Sequence, residues 1–191
     1  TDIGLDPEGV HQAGLAGRWL AASANRPVFI YSSDLLRARL TAEPLASALG
    51  LSIRYIPALR ERRYGIFEGL TYDEARAKHP ADYAAFEHRE PDYAFPHGGE
   101  SLRVFSARVV GALQALHAAH HGETVAVVTH GGVLDIINRF ARGNPLDTPR
   151  DFHIPNTGLN WILASSDGWH IESWAETRHL DHGALDELDI A

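Results

Sequence analysis

The sequence predicts an α/β layered domain with a largely parallel central sheet flanked by helices. Three observations point there. Residues 27–31 (PVFIY) form a short apolar run that leads through a polar corner into a helical pattern. Residues 125–128 repeat the plan, passing through His130-Gly131-Gly132 into a second helical pattern. Two further apolar segments close the chain on either side of a short turn.

The elements follow in order. Asp6 supplies a helix cap, Pro7 suits the first turn and Glu8 sets an acid near the positive helix end. A helix is therefore predicted over about 7–24, carrying Val10, Leu15, Trp19 and Leu20. Residues 27–31 read as a strand, Ser32-Ser33-Asp34 as the cap that follows it, and a helix runs on to about Leu49. Pro44 cannot donate a helical hydrogen bond and is expected to kink or divide that helix, which Gly50 ends. A brief strand is expected near 53–56. Residues 57–100 have no continuous period and contain several Gly and Pro, so they read as excursions with short helices around 72–78 and 81–88. The stretch 66–100 looks like an inserted lid. Ser101 caps a long helix bearing Leu102, Phe105, Val109, Leu113 and Leu116, with Gly122 just beyond its end. The second strand, 125–128, then leads to a helix over 133–141. Residues 159–163 and 169–174, joined through Ser165-Ser166-Asp167-Gly168, read as an antiparallel hairpin.

A chain of 191 residues fits one domain with a core that needs no covalent staples. The absence of Cys and Met excludes thiol catalysis, disulfides and cysteine-bound metal sites. A chain opening Thr1-Asp2-Ile3 without Met is expected to be processed or trimmed, which leaves its first element provisional. The net charge of −8 argues against broad attraction to nucleic acid or an anionic membrane, so an anionic ligand needs a local basic site. No apolar run approaches the roughly 20 residues of a membrane helix, and no leader pattern is present. A soluble cytoplasmic protein is the simplest reading. Nothing in the sequence specifies an oligomeric state.

Ligands of open α/β sheets bind beyond the carboxyl ends of the strands, where residues 32–37 and His130 belong. His130 precedes two glycines at a helix start, beside amides that favour an anion; otherwise it is a cap, or a buried histidine bonded to a carbonyl. Arg37 lies one turn into its helix, with a planar fork suited to phosphate; otherwise it pairs with a carboxylate such as Asp34. Arg60-Glu61-Arg62-Arg63-Tyr64-Gly65 sets one carboxylate among three arginines, the local basic site of an acidic protein. A carboxylic acid near a leaving oxygen can donate a proton while cations offset phosphoryl charge, which makes Glu61 the acid/base candidate. Its alternative is an ion pair with a neighbouring arginine. Of the twelve histidines, His120-His121 fall at a helix end, and His179 with His182 lack any metalloprotease or cysteine pattern, so no metal or cofactor is implied. Trp19, Trp161, Trp169 and Trp174 read as packing residues.

Together Ser32-Ser33-Asp34-Leu35-Leu36-Arg37-Ala38, Leu59-Arg60-Glu61 with Gly65-Ile66-Phe67-Glu68-Gly69, Gly98-Gly99-Glu100-Ser101 and Val128-Thr129-His130-Gly131-Gly132 resemble, in order, the histidine phosphatase superfamily. The likeness extends to Asp2-Ile3-Gly4-Leu5, Pro155-Asn156-Thr157-Gly158 and Arg178-His179-Leu180. It implies a phosphoglycerate mutase-like fold, with Arg37 and His130 lining a phosphate pocket, Glu61 as proton donor, and 66–100 covering the substrate. It also implies catalysis through phosphohistidine. The family's nucleophile belongs to an arginine-histidine-glycine motif after a first strand, upstream of the segment matching residues 1–5, and that tripeptide does not occur here. His11 lies within the first helix and is not a substitute. Leu40 stands where the family often has glutamine.

The expected activity is hydrolysis of a small phosphomonoester. A cofactor-dependent phosphoglycerate mutase is the alternative: the resemblance would then give Arg62 and Tyr64, with Gly131, a part in substrate binding. The short stretch 71–96 favours the phosphatase, because such mutases typically carry a longer insertion there. A non-catalytic phosphate-binding remnant is the third reading.

Overall fold

The computed structural model describes residues 2–180. Helix α1 (Pro7–Ala22) begins as its cap dictates, with Asp6 Oδ1 accepting the Gly9 N–H at 2.7 Å and Pro7 in the first turn. Strand β1 (Phe29–Ser32), helix α2 (Leu36–Leu49) and strand β2 (Ile53–Tyr55) follow. Helix α2 departs from expectation twice. Ser32-Ser33-Asp34 does not supply its cap: Leu35 is the N-cap residue with no side-chain bond, and the Leu36 N–H donates to Asp2 Oδ1 at 2.6 Å. Pro44 does not divide the helix, which runs unbroken to Gly50, its left-handed cap at φ 69°. Tertiary packing explains this, since α1 lies against the Pro44 turn. A Cβ on Gly17 would stand 2.9 Å from the Pro44 carbonyl oxygen, so glycine permits the approach.

Residues 57–100 form a side excursion with its own small core of Phe67, Ala75, Tyr83 and Phe95. It contains α3 (Tyr72–Lys78), opened by a Thr71–Glu74 capping box, and α4 (Pro80–Glu87). Its two ends close on each other: the Ile66 N–H donates to Pro96 O at 3.1 Å and the Glu100 N–H to Arg63 O at 2.8 Å. Gly65 is required at this closure, because at φ 57° an added Cβ would fall 2.0 Å from Pro96 O. Arg89 ties the excursion to the main body, reaching Asp135 at 2.6 Å and Leu146 O at 2.8 Å.

Ser101 then caps α5 (Leu102–Ala119), strand β3 (Val125–Val128) follows, and α6 (Gly131–Arg142) begins at Gly131, two residues before the predicted start. Strands β4 (Leu159–Ser165) and β5 (Gly168–Glu176) pair antiparallel as expected. Strand β1 lies between β2 and β3, parallel to both, with Ile30 opposite Ile53 and Ala126. Apolar side chains cover both faces of this sheet. Ile30, Ala126 and Val128 pack with Leu20 of α1 and Ala38, Ala42 and Leu45 of α2. On the opposite face Val127 packs with Phe105 and Val109 of α5 and Val133 and Ile136 of α6. Trp161 packs against the first cluster and Trp169 against the second, whereas Trp19 remains 40% exposed. Among the described residues no helix is long and apolar enough to cross a membrane.

Candidate active site

Because β1, β2 and β3 run parallel, their carboxyl ends share one edge. Hydrogen bonds continue past the strands there: the Ser33 N–H donates to Val128 O at 3.0 Å and the Ile56 N–H to Ser32 O at 2.8 Å. His130 follows β3 as the N-cap residue of α6, but its side chain makes no cap bond. Its Nε2 lies 2.8 Å from Ser33 Oγ, with both residues buried. Burial, reinforced by the Arg37 and Arg108 charges, pushes the His130 pKa down to about 3, so the imidazole is neutral near neutral pH.

Glu61 stands on a loop fixed from two sides. Thr129 Oγ1 donates to Leu59 O at 2.9 Å, and Arg108 donates to Ala58 O and Arg60 O at 2.8 Å and to Glu61 O at 3.0 Å. The Glu61 carboxylate accepts the Arg62 N–H at 2.6 Å through Oε1 and the Gly132 N–H at 3.0 Å through Oε2. These bonds seat it against the first turn of α6, and Gly132 makes room: a Cβ there would lie 2.3 Å from Oε1. The Arg62 and Gly132 backbone amides thus hold the Glu61 carboxylate.

The basic run around Glu61 is largely committed to internal partners. Arg60 grips Asp34 through Nε at 2.7 Å and Nη2 at 2.6 Å, a pairing that holds the Asp34 carboxyl below its usual range. Arg62 is buried, donates from Nε and Nη2 to Glu100 O at 3.0 and 2.8 Å, and lies 4.6 Å over the Phe95 ring and 5.6 Å over Tyr64. Burial lowers its pKa. The Glu100 carboxylate accepts the Arg63 N–H at 3.0 Å and the Arg108 fork at 2.8 Å on each oxygen. Burial raises the Glu100 pKa, but these bonds and the Arg108 and Arg63 charges outweigh it and leave the group below the ordinary carboxylate range. Arg37 has no carboxylate partner among the described residues; Asp34, the one the sequence offered, belongs to Arg60.

A cavity of about 820 Å³ opens beside these groups. Arg37, Glu61, Arg62, Tyr64 and Arg108 line it. His130 and Gly131 are not among its lining residues; His130 meets Ser33 and Gly131 opens α6. Sequence reasoning missed Ser33, Arg108 and Gly132 as individual participants and gave Glu100 no role. Ser33, Glu100 and Gly132 fall within segments that carried the resemblance, whereas Arg108 has no local motif and declares itself only through its contacts. Among the described residues no group of three or more His, Asp or Glu could hold a metal ion. His120 instead bonds Tyr31 Oη and Glu123, each at 2.8 Å, and His182 lies outside the described residues. His11 is exposed on α1.

An arginine, a histidine and an amide-held carboxylate gathered at the strand ends of a layered parallel sheet form the arrangement of a phosphoryl-handling α/β enzyme. The chain belongs to the histidine phosphatase superfamily (branch 1), which matches residues 1–177. It is 36% identical over 182 residues to phosphoglycerate mutase-like protein 4 of Arabidopsis thaliana, covering 94% of this chain and 77% of that one. It is also 36% identical over 157 residues to the metal-independent phosphoserine phosphatase of the same plant, covering 81% of this chain and 64% of that protein's length. The mycobacterial glucosyl-3-phosphoglycerate phosphatase Rv2419c superposes with a TM-score of 0.80 at 28% identity, covering 92% of this chain and 88% of its own.

Proposed function

We propose that this chain is a phosphatase domain that hydrolyses a small phosphomonoester, with Glu61 as proton donor to the leaving oxygen and Arg37 and His130 at the phosphoryl group. One observation carries the reading: the Glu61 carboxylate is oriented by the backbone N–H groups of Arg62 and of Gly132, the latter two residues after His130, on the wall of the cavity that Arg37 also lines. A carboxyl group so fixed can give its proton to a departing alcohol and later take one from water. Arg37 supplies fixed positive charge where the phosphoryl oxygens gain negative charge.

The family resemblance adds a phosphohistidine step. A histidine nitrogen attacks phosphorus, the alcohol leaves with the Glu61 proton, and water then cleaves the N–P bond with Glu61 as base. His130 is not assigned the attack, because its Nε2 meets Ser33. Two of the three relatives described above are named phosphatases. Arg62 also favours hydrolysis over mutase action, since its Nε and Nη2 donate to Glu100 O rather than facing a substrate carboxylate. We place residues 66–100 as the cover of the site, within a single domain acting in the cytoplasm.

The test is phosphate release by the full-length protein from alkyl and aryl phosphomonoesters. Glu61→Gln is expected to lower kcat by roughly 10²- to 10⁴-fold on alkyl esters and far less on aryl esters, whose leaving groups need no proton. Equal losses on both would make Glu61 structural. Phosphate binding without release from any ester would favour the non-catalytic reading.

A further inference from the structure

Resting on the phosphatase reading, we infer that the preferred substrate is a phosphomonoester whose alcohol carries a flat, uncharged group such as an aromatic ring. The cavity is divided by chemistry. Arg37, Glu61 and Arg108 line the end that would hold the phosphoryl group. Leu70, Tyr72, Ala75 and Phe86, all from the 66–100 stretch, line another part of the wall. Its volume of about 820 Å³ lies in the upper part of the range of about 300–1,000 Å³ that drug-sized ligands fill. A phosphorylated three-carbon acid would leave much of that wall uncovered.

Tyr72 and Phe86 give the wall its shape. Their rings stack with centroids 5.8 Å apart and planes 21° from parallel, and Tyr72 remains 46% exposed. A half-exposed aromatic side chain in the wall of the cavity suits a second flat ring. Charge points the same way. From residue 67 to residue 86 the one charged residue lining the cavity is Glu68, so a substrate carboxylate seated there would face a like charge. The cations that line the cavity come from residues 37–63 and 108, where Arg60 pairs with Asp34, Arg62 with the Glu100 carbonyl, and Arg63 stands 3.9 Å from Glu100 Oε1.

The experiment compares kcat/KM of the full-length enzyme for 2-phenylethyl phosphate, ethyl phosphate, phosphoserine and 3-phosphoglycerate. The first two have leaving alcohols of similar basicity, so their ratio reports the wall rather than the chemistry. The phenylethyl ester is expected to exceed the ethyl ester by roughly 10- to 100-fold and to exceed both carboxylate substrates. Tyr72→Ala should shrink the phenylethyl advantage mainly through KM, and Leu70→Ser serves if that variant does not fold. A preference for phosphoserine or 3-phosphoglycerate, or equal rates for the two simple esters, overturns the inference and leaves the phosphatase reading standing. Absence of turnover on all four strikes the phosphatase reading itself. Binding of 2-phenylethylphosphonate against ethylphosphonate still decides the inference in that case: tighter phenylethyl binding supports the wall, and equal affinity overturns it.

Discussion

Gly132→Ala separates the stability of the fold from the placement of Glu61. Gly132 is the second residue of α6 and its φ is not positive, so the backbone accepts alanine. Intrinsic preference favours alanine over glycine in a helix by up to about 1 kcal/mol. The added Cβ would stand 2.3 Å from Glu61 Oε1, 3.1 Å from its Cδ and 3.3 Å from Oε2. Relief to ordinary van der Waals separation requires the carboxylate to move by about 1 Å. That motion is inexpensive for the fold because the clashing atom is the end of a flexible side chain. It is expensive for catalysis, where a misplacement of about 1 Å can cost about 10²-fold. Gly132→Ala should therefore melt at or above the parent temperature, while kcat for an alkyl phosphate falls by about 100-fold with KM changed little. The loss should be much smaller with an aryl phosphate. Parallel thermal unfolding and phosphate-release assays decide it. Parent-like turnover of the alkyl ester would refute the role given to the Gly132–Glu61 contact, and a large drop in melting temperature would refute the claim that the helix tolerates alanine.

Two further outcomes follow from the same contacts. His130 titrates at about 3 in the fold against about 6.5 in an unfolded chain, so between these values the unfolded state binds more protons. Stability from a neutral His130 is fully present above about pH 6.5 and is lost as pH falls toward 3, by at most about 1.4 kcal/mol per unit. Urea unfolding between pH 7 and 5 should show a flatter pH dependence in His130→Asn than in the parent, and parallel profiles would overturn the assignment. Arg108→Lys keeps a charge beside Glu100 but cannot reproduce five donors directed at one carboxylate and three carbonyls. It should lower alkyl phosphate turnover by roughly tenfold or more while largely sparing aryl phosphates; equal losses on both would mean that Arg108 acts on the fold as a whole.

The strands and helices were legible because their signals are local. Asp6-Pro7 opens α1, Gly50 ends α2 and Ser101 opens α5, each within a few residues of the turn it controls. The misreadings involve partners distant in sequence. The first turn of α2 receives its carboxylate from Asp2, 34 residues earlier, and α2 survives Pro44 with α1 packed against that turn through Gly17. Glu61 was legible as a residue type beside arginines. Beside the adjacent Arg62 amide, it is held by the Gly132 amide 71 positions away, which left no trace in its neighbourhood.

The arginines carry the same lesson into chemistry. In a protein with a net charge of −8, a run such as Arg60-Glu61-Arg62-Arg63 reads as a positive site, yet charge counting cannot say which cations are already matched. Asp34 takes Arg60, Glu100 takes Arg108, and Asp135 takes both Arg89 and Arg139. Arg37, from a different segment, has no such match among the described residues. Beside it His130 stays neutral, because burial and the Arg37 charge both oppose an imidazolium. A buried imidazolium beside the half-buried Arg37 guanidinium would carry a desolvation and repulsion cost that the resting fold avoids. On the proposed phosphatase reading, a phosphoryl dianion near Arg37 would supply negative charge and move the His130 pKa upward from that low value. The resting site therefore sets a neutral His130 near Arg37, a cation that lines the cavity and has no carboxylate partner among the described residues.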